Sequence, residues 1–158
     1  MREKTCFFTG HRSIPRDKEN RIKEELSLLI TKQIEKGYTT FVSGGAIGFD
    51  IIAAEAVLKL KERYPFLRLV IIIPCKDQPC KWSLAQKERY YSVLSLADEC
   101  ECLSPIYFDG CMQIRNRRMA DMSSLCIAYL TKSAGGSAST VNYAEKQGIP
   151  VINIAADL

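Results

Sequence analysis

The sequence predicts an α/β fold: a single-domain, Rossmann-like, doubly wound and mostly parallel six-stranded sheet with helices on both faces. Three observations carry this. Short apolar runs alternate with longer stretches of helical period, a β-α unit repeated five times and closed by a last strand. LRLVIII (67–73) is continuously apolar, as in a strand buried on both faces. The 158 residues contain no repeat, linker or low-complexity stretch, so one domain with one core is expected. Such folds usually take the strand order 3-2-1-4-5-6.

The elements follow in chain order. KTCFFT (4–9) is a β-rich run. Ile22, Leu26, Leu29, Ile30 and Ile34 form a helical stripe within 17–36, and Gly37 ends it. TTFVS (39–43) is the second strand. A helix over about 48–63 turns Ala53, Ala54, Val57 and Leu58 inward and stops before Pro65. After strand 67–73, residues 83–96 read as helix and DECECL (98–103) as a weaker strand. Residues 112–122 are helical, SLCIAYL (124–130) is strand, 137–147 is a helix ended by Gly148, and PVINI (150–154) closes the sheet.

Composition removes several function classes. Apolar residues make up 47% and charged ones 25%, yet no apolar run approaches the ~20 residues of a membrane span. The start, MREKTCFFTG, has too short an apolar stretch for a signal peptide. A cytoplasmic protein without a membrane partner is expected. The seven cysteines are odd in number and lie largely in apolar runs, where free thiols pack as small hydrophobes. Cys100 and Cys102 share one side of a strand, a weak redox alternative to plain packing. With no CxxC and one histidine, no metal site is expected. A net charge of +4 permits an anionic ligand without demanding nucleic acid.

Four segments do not read as core: TGHRS (9–13), SGGAIGFD (43–50), residues 104–118 with IRNRR inside, and KSAGGSAST (132–140). Each follows a predicted strand. In an open parallel sheet these carboxyl ends share one edge, and ligands bind in the crevice there. Glycine loops opening helices aim free N–H groups and a positive dipole at that crevice, which suits phosphate. Ser43, Gly44, Gly45 and Gly48 form one such loop and Gly135, Gly136, Ser139 and Thr140 another. A tight turn and simple helix caps explain the same residues equally well one at a time. Gly10, His11 and Arg12 supply a polar turn, and Arg115 with Asn116 a basic cluster. Arg115 and Arg118 share a helix face while Arg117 points elsewhere, so at least one of the three is surface only. Asp50 is either a helix cap or the holder of a ribose hydroxyl. Trp82 and Tyr90 are candidates for base stacking, with ordinary packing the competing role.

TGHR, SGGAIGFDIIAAE, Trp82 with ERYY (88–91), IRNRRMADMSS and GGSASTVNYA resemble, in order and over nearly the whole chain, the YpsA-like group of the SLOG superfamily. The resemblance implies a Rossmann-like fold and a pocket for a nucleotide or nucleotide-derived ligand, either ADP-ribose-like or a nucleoside monophosphate. It implies a sensor or regulatory module with no cofactor beyond that ligand. Two relatives supply alternatives. LOG proteins are phosphoribohydrolases with PGGxGTxxE, and Arg115 falls near their arginine. Here the loop reads AGGSASTVNYAE, and the expected glutamates fall on Val141 and Asn142, so a carboxylate for hydrolysis would have to come from Asp50, Glu55 or Glu145, none of which the sequence places at the sugar. DprA-like proteins bind single-stranded DNA, which needs a basic groove and stacking aromatics. Nucleic acid thus ranks second to a small molecule as partner, and a homo-oligomer is compatible with the sequence.

Overall fold

The apolar runs become the strands β1 (Thr5–Gly10), β2 (Thr40–Ser43), β3 (Arg68–Ile73), β4 (Glu99–Cys102), β5 (Leu125–Tyr129) and β6 (Val151–Asn153). Between them lie α1 (Arg16–Glu35), α2 (Phe49–Lys61), α3 (Leu84–Leu96), α4 (Cys111–Asp121) and α5 (Gly136–Lys146). This computed structural model describes all 158 residues. All five strand pairings are parallel.

Alternation along β1 sorts the core into two layers. Cys6 and Phe8 face one side with Phe41, Phe49, Ile71 and the inner residues of α1, α2 and α3. Phe7 faces the other with Val42, Ile72 and the inner residues of α4 and α5. Three helices therefore cover one face and two the other, as the doubly wound fold requires. Phe7, Phe8, Phe41 and Phe49 are fully buried, each contributing about 1.5–3 kcal/mol of apolar transfer.

The strand order is β4-β3-β2-β1-β5-β6, which corrects the expected 3-2-1-4-5-6. β4 extends the first half of the sheet, and the reversal falls between β1 and β5. The reason is burial. β4 reads ECEC and three of its four residues are exposed, so it suits an edge with one neighbour. LCIAY in β5 is buried throughout and takes the central place beside β1. Right-handed crossovers then put α1–α3 on one face and, after the reversal, α4 and α5 on the other.

Candidate functional site

At the reversal the chain leaves β1 toward one face and β5 toward the other, opening a crevice at their carboxyl ends. A hollow of about 220 Å³ occupies it. Of the residues singled out in the sequence, Gly10, His11, Arg12, Asp50, Arg115, Asn116, Gly135 and Gly136 line it. Ser139, Thr140 and Asn116 line a small adjoining depression. Ser137 of the second glycine loop lines the main hollow too, as does Met112, which the sequence places only within the stretch 104–118 and does not mark as a site residue.

The floor holds two buried charged residues of opposite sign, which attract each other across the loop. Arg115 is 3% exposed and Asp50 5%. Arg115 Nη1 donates to the Gly44 carbonyl at 2.6 Å and Nε to Asn116 Oδ1 at 2.8 Å. Gln78 Nε2 donates to the same Gly44 carbonyl at 3.4 Å. Burial pushes the Asp50 carboxyl up to about 6; the Arg115 charge, the backbone of Ala46, Arg12 and the backbone of Gly44 oppose the rise in that order. Burial likewise lowers the Arg115 pKa, against the pull of Asp50.

SGGAIGFD is built around this pair. A Cβ at Gly44 would sit 2.5 Å from Arg115 Nη1, so only glycine lets the guanidinium lie on the loop. Ser43 Oγ donates to the Asp50 carbonyl at 2.9 Å and accepts the Gly45 N–H at 3.2 Å. Gly48 has φ +84, and a Cβ there would lie 2.2 Å from the Arg12 carbonyl oxygen. The Phe49 N–H donates to the His11 carbonyl at 3.1 Å, bolting the first loop down beside it. The expected phosphate cradle at Gly44 and Gly45 is thus corrected: Ser43 takes the Gly45 N–H, the Gly44 backbone faces Asp50 and Arg115, and neither glycine lines the hollow.

The second glycine loop is different. α5 begins at Gly136 with no side chain capping it, and Gly135 and Gly136 are exposed. Its first N–H groups and the positive end of its dipole are available to an anion. Thr140 Oγ1 donates back to the Gly136 carbonyl at 2.9 Å, which spends that hydroxyl within the helix. Arg12 is exposed, and its Nη2 lies 3.3 Å from Met112 Sδ, so the guanidinium reaches from the first loop toward α4. His11 Nε2 accepts the Thr131 N–H at 2.8 Å. Burial, then the Lys132 charge, lowers the His11 pKa from 6.5, so the ring is neutral at pH 7 and positions the loop.

The aromatic expectation is corrected for Tyr90. It is 1% exposed within the core, edge-on to Trp82 with ring centroids 5.1 Å apart. Neither ring lines the hollow; Trp82 packs against the α1–α3 core layer. Arg117 lies over the Tyr143 ring and Arg118 pairs with Glu101, so both are surface residues. All seven cysteines are free: Cys6, Cys75, Cys111 and Cys126 are buried, Cys80, Cys100 and Cys102 exposed. No His, Cys, Asp and Glu group is arranged to hold a metal ion. No helix is long and apolar enough to cross a membrane.

Comparison with known proteins fits this geometry. Residues 6–154 match the family YpsA, described as the YspA SLOG family. The SPbeta prophage-derived protein YoqJ of Bacillus subtilis is 31% identical over 139 residues, 80% of this chain and 81% of that protein. The UPF0398 protein YpsA of Bacillus subtilis is 28% identical over 86% of this chain and 79% of its own. A UPF0398 protein of Halalkalibacterium halodurans is 30% identical over 69% of this chain, and the match spans only 55% of that relative. Among solved structures, DNA processing protein A (DprA) of Streptococcus pneumoniae superposes with a TM-score of 0.67 at 18% identity, covering 94% of this chain and 49% of that one. DprA of Helicobacter pylori, whose single-stranded DNA binding mode has been described, gives 0.61 at 21% identity over 93% and 63%. These two likenesses concern the fold. With the match running from β1 to the start of the last turn, the chain belongs to the YspA SLOG family.

Proposed function

We propose that the chain is a binding module for a phosphate-bearing, nucleotide-derived ligand. One observation carries the reading: the uncapped start of α5 and the exposed Arg12 face one hollow over the Asp50–Arg115 floor. A helix N-terminus and a guanidinium together make a strong anion site, since charge-assisted hydrogen bonds are about twice as strong as neutral ones. Asn116, which also lines the hollow, would hold a ribose hydroxyl.

Hydrolysis finds less support. Glu55 is engaged by Arg89, Glu145 does not line the hollow, and Val141 and Asn142 carry no carboxylate. Asp50, the remaining carboxylate, is committed to Arg115 and the loop backbone. Single-stranded DNA is the second reading, favoured by the fold likeness to DprA of Helicobacter pylori, whose described mode is single-stranded DNA binding. Its backbone phosphate would use the same α5 terminus.

A thermal-shift titration with AMP, ADP-ribose, NAD and a ten-residue oligothymidine, followed by assay of free base, separates the readings. Ligand at 100 times its Kd adds about 2.7 kcal/mol, or roughly 5–10 °C in Tm for a domain of this size. A shift with one nucleotide and no base release is expected. A shift with the oligonucleotide alone would put DNA binding first, and released base would make the protein a hydrolase.

A further inference from the structure

A second hollow of about 180 Å³ adjoins the first and shares Arg12 with it. The first loop, bolted to Gly48 and Phe49, stands between the two. The second hollow differs in chemistry. Its floor is Ile14, Ile47, Ile51 and Ile52, and its rim carries Glu19, Gln86 and Arg89 beside Arg12. Most of that rim charge is already matched. Arg89 Nε donates to Glu55 Oε2 at 3.1 Å, and Glu19 pairs with Lys23 at 3.3 Å. The helix N-termini beside it already have neighbours: α1 carries Asp17 and Glu19 in its own first turn, and the first-loop carbonyls of His11 and Arg12 lie against Gly48 at the start of α2.

We infer that this hollow seats the nucleobase of the ligand whose phosphate lies on α5. The inference rests on the functional reading above and adds to it the ligand's second half. Three arguments support it. First, size: neither of these two hollows reaches the ~300 Å³ at which ordinary small-molecule sites begin, so a ligand of nucleotide size has to use both, and Arg12 lines each. Second, polarity: an isoleucine floor under a rim whose Glu19 and Arg89 are already paired favours a flat, uncharged heterocycle over a second phosphate, which would find there only the Arg12 it must share with the first hollow. Third, the rim holds directional groups. Gln86 Oε1 accepts the Ser83 N–H at 2.9 Å, which fixes the amide and leaves its Nε2 free to donate. The Glu19 carboxylate accepts. A donor and an acceptor beside an apolar floor suit a base edge that carries both functions, as adenine and cytosine do. Arg12, planar and common to both hollows, is placed to stack on the base while its charge faces the phosphate. The ligand class is therefore a nucleoside monophosphate or a derivative extended from its phosphate, with the base on the α1–α3 side of the first loop.

The test is calorimetric titration of ribose 5-phosphate, AMP and adenosine into the full chain and into Ile14→Glu, with Ile14→Ala as a milder variant that keeps the loop apolar. In the unsubstituted protein AMP is expected to bind more tightly than ribose 5-phosphate. Ile14→Glu should weaken AMP by about tenfold or more, the worth of roughly 1.4 kcal/mol of base burial, and leave ribose 5-phosphate within about twofold. Ile14→Ala should fall between, and circular dichroism melts confirm that both variants fold. Equal affinity of AMP and ribose 5-phosphate for the unsubstituted protein would overturn the base site while leaving the phosphate site standing. An equal loss of both ligands in Ile14→Glu would overturn it too. Failure of every phosphate-bearing ligand to bind would remove the functional reading itself, and this inference with it.

Discussion

Asp50 and Arg115 show how one residue pair shapes everything near it. Burial raises the Asp50 carboxyl to about 6 from an unfolded value near 3.8. Between these values the folded chain holds more protons than the unfolded one, so Asp50's contribution to stability is fully present below pH ~4 and is lost as pH rises through about 6. The size is on the order of 2–3 kcal/mol, at 1.36 kcal/mol per pKa unit. Asp50→Asn should remove this slope: denaturant unfolding would show the variant gaining on the parent by that amount between pH 4 and pH 7. A constant difference across that range would contradict the burial assigned to Asp50. Removing the other partner acts oppositely. Arg115→Ala removes the charge that most holds the Asp50 carboxyl down and the close donor to the Gly44 carbonyl, and a loss of about 1–3 kcal/mol at pH 7 is expected, shrinking at pH 5 as Asp50 takes its proton. Two glycines carry the same logic. Gly44→Ala pushes a methyl onto the Arg115 guanidinium and should cost about 1–3 kcal/mol. Gly48→Ala meets the Arg12 carbonyl at 2.2 Å in a left-handed backbone; a backbone atom yields less than a side chain, so its loss should exceed that of Gly44→Ala. Chemical denaturation ranks the two.

Among the elements, α5 makes the sharpest prediction, because stability and binding should move in opposite directions. Ser137→Glu adds a carboxylate to the first turn of an uncapped helix, which should stabilise by about 0.3–1 kcal/mol through the helix dipole. The same carboxylate occupies the anion position, so affinity for ribose 5-phosphate should fall by about tenfold or more. Melting and calorimetry on one sample read both signs. The elements also show what the sequence made legible. The five α-helices and six strands are legible to within about two residues, because period 3.6 in α1 and unbroken apolarity in β3 are strong local signals, while the short 3-10 turns at Arg2–Lys4 and Ile154–Asp157 leave no such pattern. The strand order is taken from the fold type and not read from the residues, although a signal is present: ECEC is too charged to sit between two neighbours and LCIAY too apolar to sit at an edge. The loop glycines divide for a similar reason. Spacing marks both SGGAIGFD and AGGSAST as glycine turns, but whether the N–H groups are free depends on side chains distant in sequence. Arg115 lies seventy-one positions from Gly44, and no local pattern reports that contact. Tyr90 was misplaced likewise, since an aromatic on a helix looks the same whether it faces a ligand or the core.

For the molecule as a whole, the deciding question is what the sheet edge attracts. The net charge of +4 is mild, and some of the cations are already matched in surface pairs such as Arg68–Glu99 and Arg118–Glu101. A single bound phosphate should therefore give a weak salt response, about a threefold loss of affinity from 50 to 200 mM salt, whereas a strand contacting several phosphates would lose far more. The position of the anion is the claim on which the rest depends. It is best read by following backbone amide signals during titration of ribose 5-phosphate into isotopically labelled protein by two-dimensional NMR. The account predicts that the amides of Gly135 to Ala138 shift first and furthest, with those of His11 and Arg12 following. Saturable shifts confined to Gly44 and Gly45, or no shift at all at millimolar ligand, would contradict it.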